Sequence, residues 1–399
     1  MRLLHLIASV DPSGGGPIEG ATQLHRALAA LGHSGEFVSL DAADAPWVRD
    51  FAAAPLHALG PGRGRFGYSA QLQPWLARHA QEFDAVIVNG LWQYIGLAAR
   101  RALAGTGTPY FVFPHGMLDP WFKRRYPLKH LKKWLYWPWG EYRVLRDARR
   151  VLFTCEEERL LARQTFWLYR CDEAIVSFGT ASPQDDPPAS SQAFEAAFPA
   201  LRGKRLLLFL GRIHPKKGCD LLIQAFAGAC ADAPDVRLVL AGPADPAWRA
   251  QLEQQAVQLG VADRIVWAGM LQGPLKWGAF RRADAFCLPS HQENFGVAVV
   301  EALACGCPVL ISDKVNIWRE IEQAGAGFVA PDTAEGTRTM LARWLATPDP
   351  SWQGMRAAAR ECFERQFQME QVAHRLIGVV HQTRATSTPP AHGERNAHV

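Results

Sequence analysis

The chain has 399 residues, 48% hydrophobic and 20% charged, which is enough for two domains of ordinary size with a core each. No apolar run reaches the ~18 residues of a bilayer span and no secretory signal pattern opens the chain, so a cytoplasmic protein is expected. The net charge of +5 arises in the first half, where residues 1–180 hold 21 Lys and Arg against 16 Asp and Glu. The eight cysteines follow no metal-ligand spacing, which argues against a zinc module. Cys305 and Cys307 read as small buried thiols.

Residues 2–8, RLLHLIA, form an apolar run suited to the first strand of a parallel sheet. The loop Ser13–Pro17 follows, and Ile18–Leu31 has apolar residues at helical spacing before Gly32. Strand, glycine loop and helix N-terminus together make an anion cradle around Gly15 and Gly16. The glycines do not spell G-x-G-x-x-G, so a dinucleotide fingerprint is not supported. Strands are expected at 36–40, 85–88, 110–113, 151–154 and 174–176 with helices between them, the alternation of a doubly wound parallel sheet. Ligands bind such sheets beyond the carboxyl ends of the strands, where His115 falls, followed by Gly116.

Residues 121–150 hold ten Lys or Arg and eight aromatics. Lys123, Arg124, Arg125, Lys132, Lys133, Trp134 and Trp137 are the candidates there for a membrane interface or an acceptor-side surface. Nucleic acid would use the same residue types, but no recognition motif accompanies them and none is expected as a partner. The third reading is an aromatic core beneath a solvated cationic helix face. Residues 181–200 include the polar, proline-rich SPQDDPPASS and read as a linker between a first domain, 1–180, and a second, 201–368. A final helical pattern covers 369–384, and 385–399 has no apolar pattern and is expected to be disordered.

The second domain opens on the strand 205–210, which runs into Gly211-Arg212-Ile213-His214-Pro215-Lys216-Lys217-Gly218. Arg212 and Lys217 flank a turn before a helix, and two such cations repel unless an anion joins them. Further strands are expected at 236–242, 265–269, 284–288, 309–312 and 327–329. Between the last strands lies PSHQENFGVAVVEALACGCPVL, residues 289–310. Glu293 falls in its loop and Glu301 about two turns into its helix. Between them Asn294, Phe295, Gly296 and Val297 present backbone N–H groups at the positive helix end, and Gly296 allows close approach. Two hydroxyl-binding carboxylates flanking an anion site match the layout of a nucleotide sugar.

This grammar resembles the E-x7-E signature of retaining glycosyltransferases of family 4, and the Gly-Arg…Lys-Gly string and the Pro-His-Gly-Met-Leu-Asp-Pro-Trp string, residues 114–121, resemble the same family in the same order. The resemblance implies an α/β chain of GT-B architecture, two Rossmann-like doubly wound parallel-sheet domains facing a central cleft, with the last helix crossing back onto the first domain. It implies that Gly15, Gly16 and Gly211 lie by the donor phosphates, that Arg212 and Lys217 bind the diphosphate, that Glu293 and His115 approach the donor sugar, that Glu301 holds the ribose, and that Met270 and Leu271 pass the nucleobase. The implied reaction moves a hexose from a nucleotide-diphosphate sugar to a hydroxyl of a glycan or lipid-linked acceptor in bacterial surface polysaccharide synthesis, at the inner membrane face, with no cofactor or metal. The alternatives are a silent scaffold or sugar-binding subunit and a GT-B sugar-nucleotide epimerase. One departure stands out: Asn89 occupies a position where related sequences often have histidine.

Overall fold

The computed structural model describes residues 1–183 and 186–385. Two wholly parallel sheets form its layers. The first comprises β1 Arg2–Ile7, β2 Ser34–Ser39, β3 Leu56–Ala58, β4 Ala85–Asn89, β5 Tyr110–Phe113, β6 Arg150–Phe153 and β7 Glu173–Ile175, in the order β3-β2-β1-β4-β5-β6-β7. The second comprises β8 Arg205–Leu210, β9 Val236–Ala241, β10 Ile265–Gly269, β11 Ala285–Leu288, β12 Val309–Ser312 and β13 Gly327–Ala330, in the order β10-β9-β8-β11-β12-β13. In both, the order reverses beside the first strand, at β1/β4 and β8/β11. These crevices are where open parallel sheets receive ligands. The central strands read as unbroken apolar runs because helices cover both faces: every residue of β4, β5, β11 and β12 is buried. The short edge strand β3, half-buried along its length, carries no such run and was not expected.

The helices that shape the site are α1 Gly16–Ala30, α2 Trp121–Arg125, α3 Pro127–Tyr136, α4 Glu156–Ala162, α5 Pro187–Ala197, α6 Cys219–Ala229, α7 Gly273–Arg282, α8 Val297–Ala304 and α9 Met369–Ala385. Helix α5 corrects the reading of 181–200 as linker. Its prolines sit in the first turn, where a missing N–H costs nothing, and it buries Phe194 against α7. The two helix backbones come so close that a Cβ on Gly278 would lie 2.1 Å from the Ser190 carbonyl oxygen. Helix α9 buries Met369, Val372 and Leu376 in one cluster with Leu3, Leu24 and Phe111 of the first domain. Apart from Ala385, the end of α9, the expected disordered tail lies outside the described residues.

Candidate active site

Strand β8 ends in the turn carrying Arg212 and Lys217, and β11 ends in the loop carrying Glu293. The two are stitched together: the His291 N–H and the Ser290 hydroxyl both donate to the Lys216 carbonyl, at 2.8 and 3.0 Å. Gly218 closes the turn at φ 69°, and a Cβ there would lie 2.2 Å from the Pro289 carbonyl oxygen, so only glycine fits. The Glu293 backbone is pinned from the other side, its N–H donating to Lys314 O and its carbonyl accepting from Asn316 N, at 2.8 and 3.0 Å. The Lys217 ammonium is ion-paired with the Glu293 carboxylate. Lys216 turns away, its ammonium 5.6 Å from the Trp121 ring centroid. Arg212 is exposed and has no hydrogen-bond or ion-pair partner among the described residues.

Gly296, at φ 77°, is the N-cap of α8. The N–H groups of Asn294, Phe295, Gly296 and Val297 have no backbone partner among the described residues, so they and the helix dipole present positive potential beside Lys217. The Phe295 ring is buried between Phe178 and Phe367, at centroid distances of 5.0 and 5.7 Å, and offers a ligand only its backbone. Glu301 is 9% exposed and is pushed above the usual carboxylate range by burial, which the Lys276 ammonium at 2.7 Å opposes. Lys276 was missed in the sequence because a lysine in the pattern of α7 looks like any solvated helix position. Met270 is exposed over a cavity of about 330 Å³ that includes Ile213, Pro243 and Trp267. The Leu271 side chain belongs to the buried core instead, leaving only its backbone to face a ligand.

Across the cleft His115 sits at φ 49°, an unusual conformation for a side chain with a Cβ. Its ring stacks on Phe113, its Nε2 lies 3.2 Å from Asn89 Oδ1, and burial lowers its pKa to about 4, which keeps the imidazole neutral near pH 7. Beneath it Glu158 of α4, fully enclosed, accepts from the Gly116 N–H at 2.5 Å, the Thr154 N–H at 2.7 Å and the Thr154 hydroxyl at 2.6 Å. Burial raises its pKa and the three donors oppose that rise. Asn294 Nδ2 lies 3.4 Å from the same Thr154 hydroxyl, so Glu158 underpins both walls of the cleft. The sequence shows Glu158 only as one of three glutamates in a first turn, where the helix dipole already accounts for acid.

Gly15 and Gly16 are exposed with open space around them, and α1 brings Glu19 near enough to Glu301 to contribute to its raised pKa. A larger cavity, about 610 Å³, lies between the domains, walled by Trp121, Arg124 and Arg125 of the first and Gln292 and Lys314 of the second. Gln292 Nε2 donates to Asp119 Oδ2 at 2.9 Å across it. Of the basic-aromatic candidates, Lys123, Lys132 and Trp134 are exposed. Trp137 is not a surface residue: it is fully buried, stacked 4.1 Å from Phe166, with its indole N–H donating to Leu168 O at 2.5 Å. Lys133 also turns inward, over the Trp92 ring at 4.3 Å.

Two parallel-sheet domains, with cations and free helix amides at one switch point facing a His-Gly turn at the other, define the GT-B class. The chain belongs to the GT-B glycosyltransferases of the family 4 type. The family model "Glycosyl transferases group 1" matches residues 191–361 and "Glycosyl transferase 4-like domain" matches residues 15–170. The D-inositol 3-phosphate glycosyltransferase of Jonesia denitrificans is 26% identical over 260 residues, which cover 62% of this chain and 60% of that protein. The match thus takes in less than two thirds of that relative's length. Among solved structures, sucrose-phosphate synthase from Thermosynechococcus elongatus superposes with a TM-score of 0.72 at 21% identity, over 97% of this chain and 100% of that one. The Anabaena protein HepE in complex with UDP gives a TM-score of 0.75 at 17% identity, over 96% and 100%.

Proposed function

We propose that this protein transfers a hexose, with retention of anomeric configuration, from a nucleotide-diphosphate sugar to an acceptor hydroxyl. The observation that carries the reading is the Lys217–Glu293 ion pair beside Arg212 and the amides that lead into α8, which have no partner among the described residues. On this reading the diphosphate sits on Arg212, Lys217 and the amides, and Lys217 releases Glu293 to the sugar hydroxyls. Glu301 exchanges Lys276 for the ribose, and the base occupies the cavity beside Met270. That HepE was solved with UDP supports a nucleotide sugar as donor.

In the transfer the bond from the anomeric carbon to the phosphate oxygen breaks, and the acceptor oxygen forms its bond on the same face. The acceptor proton passes to the departing phosphate oxygen, so no separate protein base is needed. Negative charge grows on the diphosphate, where Arg212, Lys217 and the amides stabilise it in a site closed to water. These groups take the part of a metal ion in the proposal. His115, neutral at physiological pH, supplies a hydrogen bond to the sugar rather than a charge. We assign the acceptor to a glycan or lipid-linked sugar of surface polysaccharide, used at the cytoplasmic face of the membrane.

Thermal shift with UDP, GDP, ADP and TDP tests the site. A shift with one nucleotide, lost in Arg212→Ala and Glu301→Ala, is expected. A shift that survives both substitutions would overturn the placement of the donor.

A further inference from the structure

Helix α3 turns its leucines to solvent. Its inward face carries His130, stacked on Phe166 at 4.9 Å, and Lys133, over Trp92. Its outward face carries Leu128, Leu131 and Leu135, which are 78%, 53% and 61% exposed. Trp139 and Trp167, at 70% and 65%, lie near this ridge, the latter 6.3 Å from Trp134. A helix serving only the core would place its leucines inward and its lysines outward. Exposed apolar side chains grouped in this way mark an interaction surface.

The surroundings of the ridge decide what covers it. Residues 120–140 contain no Asp or Glu, and Lys123, Arg124, Arg125, Lys129 and Lys132 have no carboxylate partner among the described residues. A second copy packed on this face would set these cations against their equivalents, because a two-fold contact brings the same patch to itself. An anionic surface neutralises them, and indole rings and leucines beside lysines suit the boundary between headgroups and acyl chains. A helix of 10 residues is ~15 Å long, half the hydrocarbon thickness, so it lies in the interface and does not cross.

We propose that the outward face of α3, with Trp139 and Trp167, docks this protein on an anionic lipid bilayer. Leu128, Leu131 and Leu135 enter the acyl boundary, and the cations of α2 and α3 meet the headgroups. Arg124 and Arg125 also wall the interdomain cavity, so docking sets the mouth of that cavity against the membrane, where a lipid-linked acceptor is delivered. The inference rests on the lipid-linked reading of the acceptor for its purpose, but its test is a binding one and leaves the donor chemistry standing if it fails.

The test is co-sedimentation of the full chain with vesicles of phosphatidylcholine alone or mixed with phosphatidylglycerol, at low and high salt. The variants are a triple Leu128→Glu, Leu131→Glu, Leu135→Glu and, separately, Lys129→Glu with Lys132→Glu. Expected are binding that depends on phosphatidylglycerol and weakens with salt, and a loss of at least ~10-fold in partitioning for each variant. An unchanged nucleotide-induced thermal shift shows that the variants are folded. Wild-type chain that stays in the supernatant would overturn the proposal, as would a triple variant that still sediments. Light scattering that shows a dimer abolished by the triple variant, without vesicle binding by wild type, would assign the ridge to a second copy and also overturn it.

Discussion

Glu158 takes no direct part in the proposed transfer, yet three donors converge on its carboxylate, one of them the amide of the His115–Gly116 turn. Glu158→Gln preserves the volume but sets an amide NH2 among N–H groups, and the turn must shift to relieve it. A loss of ~10–100-fold in kcat is expected, because small displacements of positioned groups cost that much. Nucleotide affinity should fall much less, because Arg212 and Lys217 lie on the other domain and, among the described residues, only Asn294 links that wall to Thr154 and Glu158. Steady-state kinetics beside a nucleotide titration separates the two. His115 predicts a pH effect whose sign follows from its lowered pKa. Both states are neutral above 6.5, and below it the unfolded chain takes up a proton that the folded one refuses until about 4. Stability therefore falls as pH drops from 6.5 toward 4, and His115→Asn should flatten that fall in urea midpoints measured across the range. A wild type and variant with parallel slopes would show that His115 is better solvated than its surroundings indicate.

Among the elements, the turn between β8 and α6 is the most constrained. Gly218 combines a left-handed backbone with a clash at 2.2 Å for any Cβ, and the atom it would strike is backbone of the glutamate loop. Gly218→Ala should cost ~1–3 kcal/mol and weaken nucleotide binding together, since strain and displacement share one contact. Calorimetry with and without nucleotide checks this, and lost stability with intact binding would uncouple the turn from the site. The helices 187–197 and 273–282 show how an element escapes a sequence reading. A proline-rich, polar composition at the start of the first suggested a linker, but the prolines occupy positions where a helix tolerates them, and its stability comes from burying Phe194 against a facing helix far along the chain.

For the whole molecule the informative contact is Gly116 against Asn294, where a Cβ would lie 2.5 Å from the amide carbon across the cleft. The domains also meet through Gln292 and Asp119 at 2.9 Å and through Arg319 and Glu157 at 2.7 Å. Gly116→Ala should hold the domains apart, lowering kcat while leaving nucleotide binding intact, with a larger radius of gyration in small-angle scattering. An unchanged radius with unchanged kcat would show that catalysis does not need this closed arrangement.

What the sequence determined by itself was local: apolar runs that mark buried parallel strands, and glycines, cations and glutamates set at the ends of those strands, where topology leaves a crevice. These are short-range patterns, and spacing along the chain is enough to state them. Which lysine turns to Glu293, why Trp137 is core while Leu128 is not, and that Glu158 and Lys276 stand behind the visible residues were decided by tertiary structure alone. The reason is that side-chain direction and burial depend on partners tens to hundreds of positions away, and no spacing along one strand or helix contains them.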